Sequence, residues 1–166
     1  MLMERNGLGG ESLSISQVLS FVPRKIIAAS LSGTLFSILC GLFLIDPFNE
    51  GTHFWRSFIS WTPIYLMYSF PVIFIYGTIT SLLSDYLAGV VSSKLGWIKE
   101  IYLSGFLHLI FGLILLWVSL AAAALFFITD RLLNRTKHYS GTIAFCSLAI
   151  PFLIGLIFIV LVNALY

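Results

Sequence analysis

The sequence predicts an all-α, polytopic membrane protein: a bundle of four transmembrane helices preceded by a short helix lying in the membrane interface. Three observations lead there. Hydrophobic residues make up 59% of the 166 residues and charged residues only 10%, where a soluble domain carries about 25% charge. Mean hydropathy is +1.02, so there are too few charges to coat a water-exposed surface, and disorder, which needs low hydrophobicity, is excluded too. The apolar residues fall into four long runs separated by short connections. In hydrocarbon every backbone polar group must be satisfied internally, which leaves helices for such runs. The alternating pattern of a membrane β-barrel is absent.

Residues 1–25 form the first unit. Residues 1–11 are polar and Gly-rich and read as a mobile tail. Residues 12–22 place Ile15, Val18, Leu19 and Val22 at helical spacing, with serines largely elsewhere. This suits a helix on the membrane surface. Pro23 is expected to break it, and Arg24 and Lys25 to mark the entry into the first span.

Residues 26–166 form the transmembrane unit. A crossing needs about 20 apolar residues, and the runs at 26–45, 57–84, 101–129 and 142–166 all qualify. The first is too long for a signal-peptide core, and Leu39 before Cys40 is too large for a lipoprotein cleavage box, so it is read as an uncleaved span. The second and third exceed the minimum and are expected to tilt. Pro63, Pro71 and Pro151 each remove a helical hydrogen bond. Arg131, Arg135, Lys137 and His138 read as anchors against lipid phosphates. Basic residues number five on one side and four on the other. The first span has the clearer bias, three against one, which favours both ends in the cytoplasm.

Helices in lipid associate through small residues. The first span carries Ala29, Gly33, Ser37 and Gly41 at four-residue spacing, and the second Gly77, Ser81 and Asp85. The third repeats at seven, with Gly105, Gly112 and Ser119. These faces are read first as contacts within the bundle and second as an oligomer or partner surface.

Ionisable groups within spans are candidate functional sites. Two stand out. His108 lies seven residues into the third run, where it can be a neutral hydrogen-bonded group or a proton relay. Asp85 closes the second run, as a solvated helix end or a cation or proton site. Net charge is +2 and dispersed, which does not suit nucleic acid. Cys40 and Cys146 sit in apolar runs without CxxC spacing, so no zinc or redox site is indicated, although a disulfide between helices is open. There is no HExxH, no GxSxG and no paired carboxylate within a span. No catalytic residue, cofactor or metal is expected.

The segment 70–88, FPVIFIYGTITSLLSDYLA, joins an aromatic proline entry to Tyr-Gly-Thr, a Ser-rich end and an acid. It resembles a group of small four-helix integral membrane proteins of Gram-positive bacteria for which no activity is established. The resemblance implies a bacterial plasma membrane and four spans. On function, absent catalytic groups and short loops favour a non-enzymatic accessory, regulatory or immunity-type subunit packed against another membrane protein. The alternative is a small transporter or channel acting as a homo-oligomer, against which the spans show no buried acid or basic ring.

Overall fold

The structure, a computed structural model, describes residues 15–44, 54–95, 100–113, 116–134 and 139–165. The expected tail at 1–11 lies outside them. The elements are α1 (Ile15–Phe43), α2 (Phe54–Val72), a π-helical turn (Ile73–Gly77), α3 (Thr78–Leu95), α4 (Glu100–Leu113), α5 (Leu116–Leu133), α6 (Gly141–Ser147) and α7 (Ala149–Leu165). No strand occurs among the described residues.

Among the described residues, three stretches are long and apolar enough to cross a membrane: Phe21–Phe43, Phe54–Val91 and Gly141–Leu165. The first, second and fourth sequence runs are thereby recovered as helices. The first differs in one respect. Pro23 does not separate an interfacial helix from the span but lies inside the continuous α1. One lost hydrogen bond does not end a helix that neighbouring helices support.

The 101–129 run is not a single helix. It forms α4 and α5, which pack against each other antiparallel. Gly112 faces Ala123, Gly105 faces the Phe127 ring, His108 faces Phe126, and Ser104 meets Arg131. A Cβ on Gly112 would come within 2.6 Å of the Ala123 Cβ. The close approach of the two arms therefore depends on a glycine opposite an alanine. At 14 residues, α4 is about 21 Å long, short of the roughly 30 Å hydrocarbon thickness.

The helix 54–95 carries a π-turn at Ile73–Gly77, a common site of kinks. Pro71, which lacks an N–H, lies just before it. The break between α6 and α7 has a similar origin. Pro151 sits in the first turn of α7 and cannot donate to the carbonyl of Ser147, four residues back.

α1 is the central element. Of its apolar window 61% is buried, against 11% for the last helix. Its small-residue face lies within the bundle: Gly33 lies against Phe70 and Gly41 against Thr62, Ser37 shares a 2.8 Å hydrogen bond with Ser69, and Ala29 is fully buried. Ser147 donates to Ser30, while Arg56 reaches the carbonyl of Leu165. α1 and α7 thus run the same way, with α2 antiparallel to both. The start of α1 and the end of α7 lie at opposite ends of the bundle, not at one end as four crossings would require.

Candidate functional site

Lys25, expected to mark the entry into the first span, is 0% exposed and points into the bundle. Its ammonium donates to Ser81 Oγ at 2.7 Å, Asp85 Oδ2 at 2.6 Å and Asp130 Oδ2 at 2.7 Å. An ammonium has three donors, and all three are used. Asp130 is 1% exposed and also accepts from Arg24 Nε at 2.9 Å. Arg24 reaches on to the side-chain oxygen of Asn134.

Asp85 does not end its helix, because α3 continues to Leu95. Its Oδ1 accepts from Ser104 at 2.5 Å and from Arg131 at 2.7 Å. Arg131 also donates to Ser104 and lies over the Phe127 ring, so it is a member of this cluster, not a lipid anchor; Arg135, Lys137 and His138 lie outside the described residues. The cluster holds three cations, Arg24, Lys25 and Arg131, and two carboxylates. It joins α1, α3, α4 and α5. Asp130 is a buried acid just beyond the third sequence run, in the last turns of α5. A buried charge is tolerated only when paired and hydrogen-bonded, and these are.

His108 sits one turn above Ser104 on α4, and Phe126 one turn before Asp130 on α5. His108 is 2% exposed. Phe126 and Phe127 lie beside its ring, at centroid distances of 5.4 and 6.3 Å. Neither ring nitrogen has a hydrogen-bond partner, so the reading of His108 as bonded to a neighbouring Ser or Tyr does not hold. A buried unsatisfied polar group costs about 1–3 kcal/mol. The hydroxyls around it behave differently: Thr80 donates to Tyr76 O, Ser84 to Thr80 O and Tyr76 to Phe111 O.

Above His108 lies a cavity of about 310 Å³ between α1, α2, the π-turn and the α4–α5 hairpin. Phe36, Cys40, Ile73, Tyr76, Ala122 and Phe126 form much of its wall. Of the residues singled out from sequence, Gly77, Gly112 and Ser119 line it together with His108, while Ser81 and Asp85 belong to the cluster below. Gly105 packs against Phe127 instead. Cys40 and Cys146 are both free thiols. No group of three or more His, Cys, Asp or Glu side chains suited to a metal occurs among the described residues.

Sequence reasoning named Asp85 and His108 but missed Lys25, Ser104, Asp130 and Arg131. The signal lay in the spacing. Extending the small-residue face of α1 back by one step of four reaches Lys25, and the Gly77–Ser81 face runs to Asp85 by the same step. The Ser104–His108–Gly112 and Ala122–Phe126–Asp130 ladders repeat it.

Fold and site together define a helical protein with membrane-compatible helices and an interior polar column, an ion-pair cluster below and a histidine-floored cavity above. Comparison of the chain with protein-family models, curated proteins and solved structures gives no match.

Proposed function

We propose that the chain is a non-enzymatic small-solute transporter of the membrane, with proton exchange at the Lys25–Asp85–Asp130 cluster coupled to movement of the α4–α5 hairpin. The observation that carries this reading is the cluster itself. Ionisable groups facing the interior of an apolar bundle mark ion and proton pathways, and here two carboxylates flank one fully buried ammonium. Asp85 is the acid of the pair with an outlet, its side chain being 22% exposed. The α4–α5 hairpin is re-entrant in this reading. α4 ends at Leu113, about 14 Å above Ser104 at 1.5 Å per residue, near the middle of a bilayer. Three crossings then place the start of α1 and the end of α7 on opposite faces. The bacterial plasma membrane is the setting that the resemblance of residues 70–88 supports.

One observation favours the accessory-subunit reading. Each donor of Lys25 and each carboxylate is already engaged, as in a brace that holds the hairpin still. Reconstitution separates the two. Vesicles containing the protein and an internal pH-sensitive dye are placed under an imposed pH gradient. A transporter dissipates the gradient faster than protein-free vesicles do, and Asp85→Asn slows it. Rates equal to those of protein-free vesicles, with a stoichiometric foreign protein co-purifying from native membranes, support the accessory role.

A further inference from the structure

The cavity above the cluster contains a polar group that the cluster does not use. His108 forms part of its floor, is 2% exposed, and has no hydrogen-bond partner at either nitrogen. Several other hydroxyls on the wall are occupied. Ser69 donates to the carbonyl of Tyr65, Tyr76 to that of Phe111 and Thr80 to that of Tyr76. The cavity is not closed. Tyr68, Val72 and Val118 on its rim are exposed; Tyr68 and Val72 belong to the membrane-compatible stretch Phe54–Val91, so the opening faces lipid. At about 310 Å³ the volume falls within the range of small-molecule sites, about 300–1,000 Å³, and holds about ten water-sized groups.

A neutral imidazole offers one donor and one acceptor. A hydroxyl offers the same pair and can satisfy either nitrogen. We propose that this cavity binds a membrane-dissolved molecule with an apolar body of about ten heavy atoms and a single hydroxyl, the body among Phe36, Ile73 and Ala122 and the hydroxyl hydrogen-bonded to His108. The assignment goes beyond the transport reading and stands whether or not the molecule crosses the membrane.

The test uses the full chain in phosphatidylcholine nanodiscs and two photoreactive probes, a diazirine-bearing decanol and the matched decane without the hydroxyl. After irradiation the labelled peptides are identified by mass spectrometry. The alcohol is expected to label residues 65–80 and 118–126 at least about fivefold more than the alkane, and His108→Leu reduces it to the level of the alkane. Ser119→Phe, which narrows the cavity and leaves His108 in place, lowers labelling by both probes. Equal labelling of the wild type by the two probes overturns the proposal, as does a hydroxyl preference that survives His108→Leu or labelling unchanged by Ser119→Phe.

Discussion

Two polar layers lie one helical turn apart in this bundle and solve the same problem in opposite ways. In the lower layer, Lys25, Asp85 and Asp130 carry full charges in an apolar bundle, and each is matched: the ammonium has three acceptors and both carboxylates accept from at least two donors. In the upper layer, His108 is as deeply buried and has none. Pairing turns a costly buried charge into a tie between helices. An unpaired group retains its desolvation cost and holds it in reserve for a ligand. The charged layer thus ties the helices together as well as being the site of the proposed proton exchange, and the unpaired layer is the better place to bind a ligand.

Substitutions can break this contrast. The largest effect is expected for Lys25→Met, which leaves two carboxylates facing each other without their shared cation. Removing one partner of a buried pair costs about 3–5 kcal/mol, read as a fall in unfolding midpoint in detergent. The double variant Lys25→Met with Asp130→Leu recovers part of the loss, because an apolar replacement of the whole pair is far less costly than half of it. Next comes Gly112→Ala. The added Cβ drives the Ala123 side chain away and costs about 1–3 kcal/mol by overpacking, measured in the same way.

His108→Leu has the opposite sign. It removes an unsatisfied buried group at similar volume, so ligand-free protein gains about 1 kcal/mol of stability. A loss on that substitution would show that the imidazole has a partner. The smallest effect is expected for Arg131→Gln. Its side chain is 22% exposed, and partly exposed ion pairs contribute about 0–1 kcal/mol.

Much of the fold could be read from sequence because its determinants are local. Composition and run length gave the helices at 26–45, 57–84 and 142–166, and the spacing of Ala29, Gly33, Ser37 and Gly41 gave the inner face of α1. The hairpin was not legible. Residues 113–118 read Leu-Ile-Leu-Leu-Trp-Val, with no glycine, proline or charge to mark a turn. The reversal depends on what the arms meet, Gly112 on Ala123 and Gly105 on Phe127, and such pairings are tertiary. The only hint was a length of 29 residues, about 44 Å of helix, too long for one crossing. The cluster was half legible. Asp85 stands at the end of a polar ladder, but Lys25 reads as the entry to a span and Arg131 as a lipid anchor, because a basic residue flanking an apolar run has the same sequence whether it points inward or outward.

The account depends on the hairpin turning back within the bundle, and sidedness tests that most directly. In a Cys40→Ala, Cys146→Ser background, Trp55→Cys, Ser140→Cys and Leu165→Cys are each exposed to a membrane-impermeant maleimide in sealed, oriented vesicles. A hairpin that returns to its own face places positions 55 and 165 on one side and position 140 on the other. Four crossings would instead put positions 55 and 140 together and position 165 opposite, and that pattern would contradict the account.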